Sequence, residues 1–175
     1  MVAMGSKAPE FKLQGILGGK IANYSLESFP GKWLVLFFYP ADFTFICPTE
    51  VTGFSKFAKD FRVEQAEVLG ASVDPIETHR SWIDELGGID FPLLSDVEKK
   101  MSRDYGVLIE KEGVSARATF ILNPAREVNY LMVSHMNVGR SVEETLRVLK
   151  ALRTGRLCPA EWRPGENTGE LNLKY

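Results

Sequence analysis

The sequence predicts one α/β domain, with a mixed central sheet, helices on both faces and extra strands at the N-terminus. Three observations predict it. The short, continuous apolar runs Trp33–Tyr39 and Val68–Val73 read as strands buried on both faces. After the first of them Val51, Phe54, Ala58 and Phe61 recur at helical spacing. A chain of 175 residues, 45% of them apolar, is most simply one domain and is large enough to bury a real core.

Taken in order, residues 8–32 read as a hairpin or pair of short extended segments. Phe11-Lys-Leu alternates, Gly18-Gly19 makes a turn and Pro30-Gly31 punctuates before the first buried strand. A helix is expected from about Thr49 to Phe61, then the second strand, ended by Asp74-Pro75. A further helix runs from Glu77 to Leu86, with Ile76, Trp82, Ile83 and Leu86 on one side. Phe91–Leu94 is short and extended, and Ser95-Asp-Val-Glu98 fits a capping box opening a helix towards Tyr105. Ala118–Leu122 and Val128–Val133, joined by the short turn Asn123–Arg126, should pair antiparallel. Ser141-Val-Glu-Glu144 is a second capping box, and Val142, Leu146, Leu149 and Leu152 line a final helix that stops near Gly155. The organisation expected is a domain over 5–155 and a mobile Pro-, Gly- and charge-rich tail over 156–175.

Composition narrows the function. With a net charge of −2 and no basic block, nothing offers a footprint for nucleic acid. The first residues lack the apolar core of a signal peptide, and no apolar run approaches the roughly 20 residues of a membrane span. A soluble, cytoplasmic protein is expected. Cys47 and Cys158 are too far apart to resemble a zinc-ligand pair, and with only His79 and His135 beside them no metal or cofactor is expected. Two distant cysteines in a reducing compartment favour redox chemistry over a structural disulfide.

Cys47 stands where the first buried strand gives way to a helix. Pro48 suits the first helical turn, where its missing N–H would be unpaired anyway. Unpaired backbone N–H groups and the positive end of the helix dipole favour an anionic sulfur at such a position. A reaction at such a nucleophile would be helped by hydrogen-bond donors and fixed positive charge for a departing anionic group. Thr44, near Cys47, can offer a hydroxyl or serve as an ordinary N-cap. Pro40 can shield the site or simply stop the strand.

The run Pro40-Ala-Asp-Phe-Thr-Phe-Ile-Cys-Pro-Thr-Glu50 strongly resembles the peroxidatic motif of the peroxiredoxins, in the typical two-cysteine subgroup that includes alkyl hydroperoxide reductase C-type proteins. Agreement extends from about Gly5 to Gly165 and implies a thioredoxin-like fold. By that resemblance Cys47 attacks the peroxide, with Pro40 and Thr44 shaping its pocket. Arg117, in Ala116-Arg-Ala-Thr-Phe-Ile-Leu122, stabilises the thiolate and binds peroxide oxygen, a task suited to a permanently charged fork of donors. Glu50 and Arg140, the latter in Val138-Gly-Arg-Ser-Val-Glu-Glu-Thr-Leu146, form an ion-pair network that orients Arg117.

The segment Leu157-Cys-Pro-Ala-Glu-Trp-Arg-Pro-Gly165 resembles the family's resolving segment. The resemblance therefore implies that Cys158 of one subunit resolves the Cys47 sulfenate of its neighbour in a head-to-tail homodimer, and that dimers assemble into a decameric ring. The partners implied are a hydroperoxide and a dithiol protein reductant, either thioredoxin or a dedicated reductase. His79 is read as structural, and His135 is given no chemistry. A thioredoxin-like disulfide reductase is the weaker enzyme reading, because Cys47 lacks a second cysteine at Cys-x-x-Cys spacing. A redox-regulated holdase chaperone or redox-relay scaffold is the alternative from another class. The chain departs from eukaryotic-type relatives in having Glu85-Leu-Gly-Gly-Ile-Asp90 instead of a Gly-Gly-Leu-Gly loop, and no Tyr-Phe motif after Trp162. A sulfenate that is resolved before it reaches the sulfinic stage is therefore expected, so mass spectrometry at low peroxide should find little sulfinate.

Overall fold

The computed structural model describes residues 2–171. Its N-terminal hairpin forms where the sequence predicts one. β1 (Lys12–Leu17) and β2 (Lys20–Ser25) pair antiparallel. Gly18 and Gly19 between them both have positive φ, 56° and 75°, which a two-residue primed turn requires and glycine adopts without strain. Then come β3 (Trp33–Phe38), α1 (Cys47–Lys56), α2 (Ala58–Val63), β4 (Ala66–Ser72), α3 (Ile76–Glu85), β5 (Leu93–Ser95) and α4 (Lys100–Asp104). A small ladder of β6 (Leu108–Ile109) with β7 (Val114–Ser115) precedes β8 (Arg117–Leu122), β9 (Val128–Ser134) and α5 (Val142–Thr154).

Seven strands form one mixed sheet in the order β2-β1-β5-β4-β3-β8-β9. β3, β4 and β5 are parallel, and the strands on either side of them run antiparallel. The alternation of β3 divides the core. Val35 and Phe37 pack with Val51 and Phe54 of α1, Phe61 of α2, Trp82 of α3 and Leu146 and Leu149 of α5. Leu34, Leu36 and Phe38 pack on the other face with Phe11, Leu26, Met101 and Tyr105. Burying a strand on both faces needs cover on both, and the helices and the N-terminal segment supply it. Gly70 in β4 lies where a Cβ would come within 2.8 Å of both Leu93 and Phe37, so only glycine permits this packing.

Four details differ from the sequence reading. The first helix begins at Cys47, two residues early, and is interrupted at Phe57, whose φ and ψ of −94° and 4° leave the helical range. Ser95 does not cap α4, because its hydroxyl donates to the Asp74 carbonyl at 2.6 Å. Asp96 takes that role, its carboxylate accepting the N–H groups of Met101 and Ser102 at 3.1 and 2.7 Å. β6 and β7 are two residues each, too short to show alternation.

The described part of the tail is folded against α5. Trp162 is buried, Leu157 bridges Gly169, and Arg147 on α5 donates to the Trp162 carbonyl at 3.1 Å. One large aromatic anchor outweighs the tail's polar composition. Residues 172–175 of the expected tail segment lie outside the described residues. Among the described residues no helix is long and apolar enough to cross a membrane.

Candidate active site

β3 ends at Phe38, and the chain leaves the sheet through residues 40–46 before α1 opens at Cys47. Ile46 stands at the N-cap without a side-chain hydrogen bond, and Pro48 lies in the first turn. The N-terminus of α1 therefore carries no polar side-chain cap, and its backbone N–H groups and dipole face the Cys47 end of the helix. Cys47 itself is completely buried, within the cluster formed by Val35, Phe37, Val51 and Phe54.

Three charged side chains, distant in sequence, meet beside it. Arg117, the first residue of β8, places Nη1 3.3 Å from Cys47 Sγ and 2.8 Å from Glu50 Oε2. Its Nε donates to the Met136 carbonyl at 2.8 Å, which fixes the plane of the guanidinium. Arg140, immediately before the Ser141 cap of α5, grips Glu50 through Nε at 2.7 Å, Nη2 at 2.8 Å and its own backbone N–H at 2.9 Å. Its Nη1 reaches the Ala118 carbonyl at 2.7 Å and Thr119 Oγ1 at 3.3 Å, and the guanidinium lies 5.5 Å from the Phe37 ring. Glu50 is thus held bidentate between two arginines in a nearly dry site, where charge-assisted bonds are strong and an unpaired charge is costly. One carboxylate against two guanidiniums leaves an excess positive charge facing the sulfur.

Burial pushes the Glu50 carboxyl up, but the hydrogen bonds and charge of Arg140, with the charge of Arg117, more than offset it and hold it below its ordinary value of 4.5. A carboxyl whose pKa is depressed on folding stabilises the protein fully above its unfolded value and loses that contribution as pH falls through the folded one. Denaturant titrations at a series of pH values below 4.5 should therefore show wild type losing more stability than Glu50→Gln over the same window.

Cys47, Glu50, Arg117 and Arg140, all expected from the sequence, are brought together. Pro40 is buried at the end of β3, where it opens the loop. Thr44 is exposed and its hydroxyl donates to the Ala41 carbonyl at 3.2 Å, so here it turns the loop and does not touch the sulfur. Cys158 lies apart, just beyond α5 and half-buried, with its sulfur 3.4 Å from Thr154 Oγ1. Both thiols are free. The groove beside Cys158 is walled by Val148, Ala151, Leu152, Leu157 and Pro159. His135 is exposed, with its Nδ1 accepting the Asn137 N–H at 3.3 Å, whereas His79 is fully buried against Asp42. The Met136 carbonyl had no signal in the sequence, since backbone acceptors carry none. Asp42 did have one, as an acidic residue within an otherwise apolar and hydroxylic stretch.

A buried thiol at a helix N-terminus, bonded by an arginine that a buried carboxylate orients, on a mixed sheet with thioredoxin-like strand order, defines a thiol-dependent peroxidase. The comparisons agree. The AhpC/TSA family matches residues 4–131. The chain is 49% identical to YkuU of Bacillus subtilis, which carries the peroxiredoxin name, over 94% of this chain and 97% of that one. It is 42% identical to peroxiredoxin prdx-2 of Caenorhabditis elegans, over 98% of this chain and 90% of the relative. The solved structure of the reduced 2-Cys peroxiredoxin of Plasmodium vivax superposes with a TM-score of 0.90 at 37% identity, covering 96% of this chain and 93% of that one. The chain belongs to the AhpC/TSA family, the peroxiredoxins, and is a thiol-dependent peroxidase.

Proposed function

We propose that this protein reduces hydrogen peroxide and organic hydroperoxides through Cys47, and that Cys158 of a partner subunit completes the cycle. The observation that carries the reading is the single Arg117 nitrogen shared between the Cys47 sulfur and the Glu50 carboxylate. The Cys47 thiolate attacks one peroxide oxygen, the O–O bond breaks, and the departing oxygen takes a proton and leaves as water or an alcohol. Cys47 is left as a sulfenic acid. The Arg117 guanidinium stabilises the thiolate before attack and the negative oxygen as it departs, which preorganised donors in a dry site do best. Glu50 and Arg140 keep that guanidinium in place. Pro40 shields the sulfur, and Thr44 meets the peroxide once its side chain turns away from Ala41.

The Cys158 thiol then attacks the sulfenic sulfur, the S–O bond breaks, water leaves, and a disulfide forms. Exchange with a dithiol protein returns both thiols. The mouse relative, 46% identical, is named a thioredoxin-dependent peroxide reductase, which supports a thioredoxin-type donor. A homodimer is supported by β9, an edge strand of the sheet, with Val133 exposed on it and Val138 exposed just beyond its end. A decameric ring built from such dimers, and a cytoplasmic setting that keeps both thiols reduced, complete the proposal. The comparisons give the holdase alternative no support.

Non-reducing electrophoresis after one equivalent of hydrogen peroxide tests the reading. A disulfide-linked dimer is expected in wild type and in neither Cys47→Ser nor Cys158→Ser. A wild type that loses both thiols while running as a monomer would contradict resolution between subunits.

A further inference from the structure

A second buried polar cluster underlies the site, and the peroxide chemistry above does not use it. The side chains of Asp42 and His79 are completely shielded from solvent, and Asp42 Oδ2 lies 2.7 Å from His79 Nδ1. The other carboxylate oxygen accepts the Tyr39 hydroxyl at 2.7 Å, and His79 Nε2 lies 3.0 Å from the Leu94 carbonyl. Burial, and then the charge of Asp42, pushes the Tyr39 phenol well above its usual value, so it remains a donor. Both imidazole nitrogens face acceptors. Both bonds are therefore made only while the pair keeps one proton between Nδ1 and Oδ2 and another on Nε2. The Asp42 backbone N–H adds a bond to Asp74 Oδ2 at 3.0 Å, and Ser72 Oγ holds that oxygen at 2.6 Å.

The position of this cluster gives it a consequence. Residues 40–46 carry Cys47 away from the sheet, and among the described residues Asp42 makes their only side-chain-mediated hydrogen bonds to α3 and to the end of β4. Thr44 bonds only the nearby Ala41 carbonyl. Phe43, directly after Asp42, has a φ of 53°, a left-handed conformation that an aromatic residue adopts at a cost. Phe43 and Phe45 are 52% and 95% exposed. The Phe43 ring lies 6.3 Å from that of buried Trp82 on α3, so this strained segment is held by that aromatic contact, by buried Pro40 at its start and by the buried hydrogen bonds of Asp42.

We propose that Asp42 and His79 are positioning residues for the peroxidase reaction, holding residues 40–46 and hence Cys47 beside Arg117, and that this anchor sets how the Cys47 sulfenate divides between resolution and further oxidation. The inference rests on the Cys47–Cys158 cycle proposed above. While the anchor holds, the oxidised sulfur stays in its buried position, where a second peroxide can convert sulfenate to sulfinate, its O–O bond breaking and water leaving. Release lets the sulfur leave that position and form the disulfide with Cys158. A looser anchor therefore trades sulfinate for disulfide.

Two variants separate geometry from charge. Asp42→Asn can keep every bond, accepting from Tyr39 and donating to a neutral His79 ring that still donates to Leu94. His79→Gln loses the ring that links Asp42 to the Leu94 carbonyl. The measurements are mass-spectrometric sulfinate per turnover with dithiothreitol as reductant, and the rate of disulfide formation after a single equivalent of hydrogen peroxide. Both are made well below each variant's unfolding midpoint. For His79→Gln we expect at least about fivefold less sulfinate per turnover and a correspondingly faster disulfide, with Asp42→Asn between it and wild type.

Ser102→Ala is the control for lost stability, because it breaks the Asp96–Ser102–Ser115 bonds away from the loop. It should leave the division unchanged. A folded His79→Gln that divides as wild type does, or a Ser102→Ala that shifts the division equally, would overturn the proposal. Residue-resolved hydrogen exchange on wild type needs no variant to fold. The Asp42 amide should be the protected one among residues 41–46, and free exchange there would count against the anchor. A wild type forming neither sulfinate nor disulfide removes the cycle and this inference together, whereas a wild type that cycles beside unaltered variants removes the inference alone.

Discussion

Replacing Arg117 with lysine should lower the second-order rate constant for oxidation of Cys47 by hydrogen peroxide by about 10²–10³, the usual loss when one preorganised donor is removed from the charge that develops in a reaction. The size of the effect follows from how many bonds the guanidinium makes at once. Nη1 serves both Cys47 Sγ and Glu50 Oε2, while Nε is held by the Met136 carbonyl. An ammonium keeps the charge but is a single compact group on a flexible stem, and cannot reproduce that planar set of directions. Stopped-flow fluorescence on the reduced protein reads the rate constant directly. Circular dichroism should show the variant folded. A rate within threefold of wild type would mean that Arg117 balances Glu50 and does nothing for the peroxide.

Glu50→Ala should produce the largest loss of stability in the site. The carboxylate is almost wholly buried and accepts three bonds from Arg140 and one from Arg117. Removing it leaves two guanidiniums facing one another in a dry site. Breaking a buried pair in this one-sided way costs about 3–5 kcal/mol, because the surviving charge is uncompensated. At roughly 2–4 °C per kcal/mol for a chain of this size, the melting temperature should fall by about 6–20 °C. Peroxidase activity should fall as well, since Arg117 loses its second anchor. Differential scanning calorimetry checks the first effect. A shift under about 3 °C would show that water enters and screens the arginines, so that the network is not dry.

Most of the strands and helices could be read from local pattern, because they bury whole faces of hydrophobic sequence. β3 announced itself by an unbroken apolar run, and α5 by Ser141 at its cap and Gly155 at its end, where φ is 62°. The end of α4 nearest Ser95 was misread because two residues of capping type are adjacent there, and only the fold decides that Ser95 turns to Asp74 while Asp96 caps. The packing of Trp162 was not legible in the tail, because the segment's polar composition hides the contribution of one tryptophan.

The site divides in the same way. The placing of Cys47 had a local signature, a strand giving way to a helix N-terminus. Arg117 and Arg140 had none, being 70 and 90 residues from their partners Cys47 and Glu50. They were placed by resemblance alone. The Asp42–His79 pair, 37 residues apart, was legible only as two separate residues. Nothing local marks a histidine on α3 as the partner of an aspartate on the cysteine loop.

The central claim is that Cys47, held by Arg117, is the thiol that meets the peroxide. The most direct test uses Cys158→Ser, in which a sulfenate formed at Cys47 has no resolving partner. One equivalent of hydrogen peroxide, followed by trapping with a sulfenate-specific 1,3-diketone and peptide mass spectrometry, should place a single adduct on Cys47. It should form with a rate constant above about 10⁴ M⁻¹ s⁻¹, the lower bound for an efficient enzyme. An adduct elsewhere, or no trapped sulfenate while peroxide persists in solution, would contradict the account.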